Sequence, residues 1–135
     1  MGGVAGGAST AARIRRLDET ADIIIYERGP HVSFSNCALP FHLSGIVETA
    51  DELVLMTPQD FKEQYNIEVK VQHEVTLVHP EDKNIEIKNL LTGEVVMESY
   101  DKLVLSPGAS PILPRSIKGI EQGHVFTVRN VVDID

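Results

Sequence analysis

The sequence predicts an α/β fold: a parallel sheet with helices plus a small antiparallel β-meander. Three observations predict it. A Gly-rich loop, Gly2-Gly3-Val4-Ala5-Gly6-Gly7, runs into an Ala-rich stretch. The β-branched run Ile23-Ile24-Ile25 follows, continuous as in a strand buried on both faces. Further on, short apolar segments recur, two of them joined around Thr92-Gly93.

Residues Gly6 to about Leu17 read as a helix. Alanine gives high helix propensity, and Ala11, Ala12, Ile14 and Leu17 supply a narrow apolar face. Ala21 to Tyr26 reads as a strand ending in Glu27-Arg28-Gly29-Pro30. Thr57-Pro58-Gln59-Asp60 opens a second helix, with Thr57 as N-cap and Pro58 in the first helical position, stopping near Asn66. Strands are expected at 67–71, 75–78, 85–90 and 95–99, with Gly93 turning the last pair. Leu103 to Ser106 reads as a buried strand, stopped by Pro107-Gly108-Ala109-Ser110-Pro111, and Val125 to Val128 as one more short strand.

The chain has 135 residues, about one domain, and 42% are hydrophobic, enough for a folded core. A net charge of −8 argues against nucleic acid and anionic membrane as partners, since both need positive surface. No apolar run approaches the ~20 residues that span a bilayer. One cysteine and no export signal at Met1-Gly2-Gly3 place the expected location in a reducing cytoplasm.

The loop, helix and strand stand in the order of a dinucleotide-binding unit. Backbone approach to a pyrophosphate needs residues without side chains, and a helix N-terminus favours its charge. The G-x-G-x-x-G fingerprint is met imperfectly, with Val4 in the third place. Glu27 follows the strand where an acidic side chain bonds a ribose hydroxyl; its alternative is a solvated strand end. Only Met1 precedes the loop, so the first strand of such a unit is expected to be missing and the chain to be a partial domain.

Cys37 lies in Ser33-Phe34-Ser35-Asn36-Cys37-Ala38-Leu39-Pro40. It is either a small buried hydrophobe or a working thiol. Asn36 can orient a thiolate or bond a substrate, and a helix starting near Ala38 would present its positive end to it. With no second cysteine, redox cycling requires a mixed disulfide with a small thiol or a sulfenic acid. Arg13, Arg15 and Arg16 are either a solvated helix face or a contact for phosphates of an anionic substrate. His31, His42, His73, His79 and His124 show no metal spacing, so no metal site is expected.

The strings Gly2-Gly3-Val4-Ala5-Gly6-Gly7-Ala8-Ser9, Arg15-Arg16-Leu17, Ser33 to Pro40 and Ser99 to Ala109 together resemble the coenzyme A-disulfide reductase family. These are single-cysteine flavoenzymes of the pyridine nucleotide-disulfide oxidoreductase superfamily, and the resemblance spans the chain but only the N-terminal third or less of such an enzyme. It implies a Rossmann-like FAD-binding domain over residues 1–135, truncated at the first strand and at the C-terminus. It implies that Gly2, Gly3, Val4, Ala5 and Gly6 cradle the FAD pyrophosphate and that Glu27 holds the adenosine ribose. Val75 would meet the adenine, while Ser106, Pro107, Gly108, Ala109 and Arg129 would pass beside the FAD. Cys37 would be the redox nucleophile with Asn36 beside it, and Ser9, Arg13, Arg16, Ser33 and Asn36 would contact coenzyme A. The implied relay runs from NAD(P)H through FAD to a Cys37–S–S–CoA mixed disulfide. A homodimer is expected of the full-length enzyme.

Alternatives stay open. CoA-persulfide or polysulfide reductases share the thiol and the scaffold. NADH oxidases and peroxidases share the scaffold and use a sulfenic acid, but typically carry His where Ala5 stands. Two-cysteine reductases are excluded, because His42 occupies the place their second cysteine needs. A chain without its NAD(P)H domain is expected not to turn over alone, and a non-catalytic gene fragment is the remaining class.

Overall fold

Helix α1 (Ala5–Leu17) buries Ala8 and Ala11. Two small side chains on one face, three residues apart, let the helix lie close against its neighbours. They join Ile25, Val32, Phe61 and Ile67 in one core, flanked by Ile23, Met56, Tyr65, Val69 and Val71. The computed structural model describes residues 1–134.

After α1 come β1 (Ile24–Tyr26), a 3₁₀ turn at Asn36–Ala38, α2 (Leu39–Leu43), a second 3₁₀ turn at Ala50–Leu53 and α3 (Pro58–Tyr65). Strands β2 (Glu68–Lys70), β3 (His73–His79), β4 (Asn84–Asn89) and β5 (Val95–Ser99) follow, then a 3₁₀ turn at Val131–Asp133. β1 and β2 pair in parallel, Ile25 opposite Val69. β3, β4 and β5 form the antiparallel meander in that order. The α/β class therefore holds.

The chain divides into two compact units. One comprises Met1–Ser33 with Met56–Pro107, the other Phe34–Leu55 with the stretch from Gly108 on.

In the first unit α3 is fixed by the residues expected to fix it. Thr57 N–H donates to Asp60 Oδ2 at 2.7 Å and Thr57 Oγ1 accepts from Asp60 N–H at 3.2 Å, a reciprocal cap. Asn66 ends the helix with φ +48°. Along β4, Ile85 and Ile87 alternate inward and meet Tyr26, with Val75, Val78, Tyr100 and Leu103 around them. Gly93, at φ +78°, turns β4 into β5.

Three expectations, on Leu17, on Leu103 to Ser106 and on Val125 to Val128, need correction. Leu17 is 70% exposed and takes no part in the apolar face of α1, which consists of alanines. β1 does bury both faces, Ile25 in the α1 core and Tyr26 in the meander core, and only its first residue, Ile24, is exposed. Leu103 to Ser106 is not a buried strand, since Val104 and Leu105 are exposed. Its ladder consists of the Met1 amine donating to the Val104 carbonyl at 2.6 Å and Ser106 N–H donating to the Met1 carbonyl at 2.9 Å. Gly2 N–H donates to the Tyr26 carbonyl at 2.8 Å, so Met1 and Gly2 supply the backbone between β1 and this segment. Val125 to Val128 forms no strand; Val125, Phe126 and Val128 are exposed.

Candidate functional site

Within the first unit, the glycine loop is shaped by its own backbone. Gly2 has φ +88°, and a side chain on it would overlap the Ser106 carbonyl. A side chain on Gly7 would overlap the Gly2 carbonyl. The loop thus folds onto the start of α1 and onto Ser106, whose Oγ lies 3.1 Å from where a Gly6 side chain would begin. Helix α1 starts at Ala5 after Val4, with no side-chain cap and no acidic residue in its first turn. Its first amides therefore keep the positive end of the helix dipole unquenched.

Glu27 stands at the end of β1 and ties this loop down. Its Oε2 accepts Gly3 N–H at 2.7 Å and its Oε1 accepts Gly29 N–H at 2.8 Å. Its backbone is held on both sides: Glu27 N–H donates to the Lys70 carbonyl and its carbonyl accepts His73 N–H, both at 3.0 Å. Each carboxylate oxygen retains a lone pair for a further donor. An uncapped helix start beside a half-free carboxylate suits a diphosphate and a vicinal diol, the two polar parts of a dinucleotide's adenosine end. Val75 sits on β3 opposite Ile87, half-buried. Pro107 is exposed at the end of this unit.

On the outer face of α1, Ser9, Arg13 and Arg16 are exposed and lie four and seven residues apart, hence on one side. The described ion pairs all involve Lys70, so Arg13 and Arg16 have no carboxylate partner among the described residues. Arg15 differs. Its guanidinium donates to the carbonyls of Tyr65 at 2.8 Å, Asn66 at 3.0 Å, Glu19 at 2.6 Å and Asp18 at 3.3 Å, closing the C-terminal ends of α1 and α3. Ser33 has φ +49°, uncommon for a residue with a side chain, and its N–H donates to the Gly3 carbonyl at 2.9 Å.

In the second unit Cys37 is exposed, which removes its reading as a buried hydrophobe. It sits in the 3₁₀ turn, with Ser35 Oγ 3.4 Å from its Sγ. The turn is anchored by a bridge between Phe34 and Val54 and by Ser35 N–H donating to the Leu53 carbonyl at 2.8 Å. Asn36 is exposed beside it, and Leu39 behind it is buried at the start of α2. His42 is engaged through Nδ1 with the Val47 carbonyl at 2.9 Å. Elsewhere in this unit Arg129 Nε donates to the Ala109 carbonyl at 3.2 Å, and its Nη2 lies 3.2 Å from the Cβ position of Gly108, whose φ is +69°. Asp133 Oδ2 accepts both Arg129 N–H and Asn130 N–H at 2.7 Å.

The fold therefore brings together Gly2, Gly3, Gly6, Glu27 and Ser106 in one unit, and Gly108, Ala109 and Arg129 in the other. Sequence reasoning missed Ser35 and Asp133. Ser35 was legible as a hydroxyl two residues before a cysteine in a turn. Asp133 was legible as the end of an Asn-x-x-Asp cap.

The pyridine nucleotide-disulphide oxidoreductase family profile matches residues 1–135. The chain is 44% identical over its whole length to a coenzyme A disulfide reductase of Staphylococcus aureus (strain COL), of which it covers 30%. It matches the crystal structure of reduced Bacillus anthracis CoADR-RHD with TM-score 0.93 and 48% identity, covering 99% of this chain and 24% of that one. It matches an NAD-dependent persulfide reductase from A. fulgidus with TM-score 0.91 and 33% identity, covering 98% of this chain and 25% of that one. The chain thus spans under a third of these relatives. With a glycine loop closed on its first helix, a carboxylate at the end of β1 and a family match from end to end, the chain belongs to the pyridine nucleotide-disulphide oxidoreductases.

Proposed function

We propose that this chain is the FAD-binding, cysteine-bearing part of an enzyme that reduces coenzyme A disulfide with NAD(P)H. The observation that carries the proposal is Cys37, exposed on an anchored turn beside Ser35, in a chain 44% identical throughout to a coenzyme A disulfide reductase.

Cys37 attacks as the thiolate. Its Sγ forms a bond to one sulfur of coenzyme A disulfide, the substrate S–S bond breaks, and one coenzyme A thiolate leaves. The product on the protein is Cys37–S–S–CoA, and no net oxidation has occurred because one disulfide has replaced another. Release of the second coenzyme A needs two electrons and returns Cys37 to the thiolate. FAD, when bound, supplies the two-electron chemistry between NAD(P)H and that disulfide.

The protein's part is placement. Gly2, Gly3, Val4, Ala5 and Gly6, with the uncapped start of α1, hold the FAD diphosphate, and Glu27 takes the ribose hydroxyls on its free lone pairs. Val75 lies against the adenine. Ser106, Pro107, Gly108, Ala109 and Arg129 line the cofactor, with Asp133 fixing the Arg129 backbone. Ser9, Arg13, Arg16, Ser33 and Asn36 meet coenzyme A. Arg13 and Arg16 suit that role because they lack a carboxylate partner among the described residues. Residues 1–135 form part of a domain completed in the longer enzyme, which works as a homodimer.

The similarity to a persulfide reductase supports a second reading, in which the same thiolate attacks a coenzyme A persulfide. Intact-mass spectrometry after incubation with coenzyme A disulfide tests the first. One coenzyme A adduct on Cys37, absent in Cys37→Ser, is expected. An unmodified chain would contradict the proposal.

A further inference from the structure

Glu98 lies opposite Ile85 in the β4–β5 register, on the face of the meander that packs with Tyr26. A carboxylate on that apolar face needs partners. It has two. Its Oε2 accepts the Tyr26 hydroxyl at 2.6 Å, and its Oε1 lies 3.4 Å from Lys70 Nζ. Lys70 is also Tyr26's neighbour in the β1–β2 ladder, and its Nζ lies 5.5 Å from the Tyr26 ring centroid. The same ammonium is 3.6 Å from Glu68. One residue each from β1, β2 and β5 thus closes a triangle.

The triangle sits one bond away from the glycine loop. The Tyr26 carbonyl accepts Gly2 N–H, and the Lys70 carbonyl accepts Glu27 N–H. The next residue after Tyr26 is Glu27, whose carboxylate holds Gly3 and Gly29. The Tyr26 side chain is buried and its hydroxyl is committed to Glu98. Tyr26 therefore joins the meander, through its hydroxyl, to the residue that precedes Glu27.

We propose that Tyr26, Lys70 and Glu98 are positioning residues for Glu27, which fix the carboxylate that receives the nucleotide ribose. The proposal rests on the FAD reading for the identity of the ligand, but not for the positioning.

Two measurements on the full chain test it. The first is hydrogen exchange of the Gly3 and Gly29 amides without FAD. Tyr26→Phe and Glu98→Ala should speed both by about tenfold, the factor that ~1.4 kcal/mol makes. Glu98→Gln keeps an acceptor for the hydroxyl and should stay near wild type. Gly93→Ala strains only the β4–β5 turn, where no atom lies within 4 Å of the added methyl; it should leave both amides unchanged. Equal effects from Gly93→Ala at matched stability, or no effect from Tyr26→Phe and Glu98→Ala, would overturn the positioning. The second is FAD titration by flavin fluorescence, where Glu98→Ala should bind about tenfold more weakly than Glu98→Gln. Equal FAD affinity despite faster exchange would overturn the link to the nucleotide. A wild-type chain that takes no FAD, with the exchange pattern as expected, would overturn the FAD reading and uphold the positioning.

Discussion

The carboxylate of Glu27 accepts the amide of Gly3 at 2.7 Å, joining the end of the first strand to the loop that precedes the first helix. The second oxygen does the same for Gly29 at 2.8 Å. One side chain thus both shapes the loop and offers acceptors beside it. Glu27→Gln keeps the shape but turns one acceptor into a donor facing an N–H. It should lower stability by about 1–3 kcal/mol, the cost of leaving such a group unpaired, and weaken FAD binding as well. Urea denaturation and flavin titration check the two effects separately.

Gly7 sets propensity against sterics. Alanine in a helix gains about 1 kcal/mol over glycine. At Gly7, however, the new methyl would overlap the Gly2 carbonyl, a backbone atom that cannot rotate away. Overpacking of this kind costs typically 1–3 kcal/mol, and an overlap with backbone belongs at the upper end, so the net effect of Gly7→Ala should be a loss of up to about 2 kcal/mol. A thermal melt reads the sign directly.

Two arginines one residue apart should behave oppositely. Arg15 closes four carbonyls at helix ends, those of Asp18, Glu19, Tyr65 and Asn66, so Arg15→Ala should destabilise by about 1–2 kcal/mol, and lysine should not restore it because it lacks the planar fork. Arg16 is exposed, and no bond of its guanidinium is among those described. Arg16→Ala should change stability by less than about 0.5 kcal/mol but slow the reaction of Cys37 with coenzyme A disulfide. Denaturation midpoints and adduct-formation rates separate the two roles.

The Tyr26–Glu98 bond gives stability a defined pH window. The Tyr26 hydroxyl holds the Glu98 carboxyl below its ordinary value of 4.5, with Lys70 adding to the effect. Burial first, then the Glu98 bond, raise the Tyr26 phenol above its ordinary 10.0. For Glu98, the depressed value means its contribution is present above 4.5 and is lost as pH falls through the folded value. For Tyr26, the raised value means its contribution is present below 10.0 and is lost as pH climbs through the folded value. Wild type minus Tyr26→Phe, compared by urea midpoint, should be largest between 4.5 and 10.0 and shrink on both sides.

The parts of the fold written in local chemistry were legible. Thr57-Pro58 and Asn66 bound α3, Gly93 turns β4 into β5, and Ile85 and Ile87 alternate, because caps, turns and period-two burial act within a few residues. Leu103 to Ser106 and Val125 to Val128 were not, because an apolar run states only that burial is wanted and does not say which strand provides it. Leu17 failed for a related reason: α1 packs through alanines, so the large side chain that suggested the inner face points out. Glu27 stands out in the sequence by its place after the loop, the helix and the strand. Its bonds to Gly3 and Gly29, and the Tyr26–Lys70–Glu98 triangle, join residues up to 72 positions apart and leave no local pattern.

The most direct test is a comparison of rates. At one pH and ionic strength, the second-order rate constant of Cys37 is measured with coenzyme A disulfide and with glutathione disulfide. The chain carries a net charge of −8, so without a built site the phosphate-rich coenzyme A disulfide should react more slowly. The proposed function predicts the opposite, with coenzyme A disulfide faster by about tenfold, or ~1.4 kcal/mol. Equal rates, or faster reaction with glutathione disulfide, would contradict it.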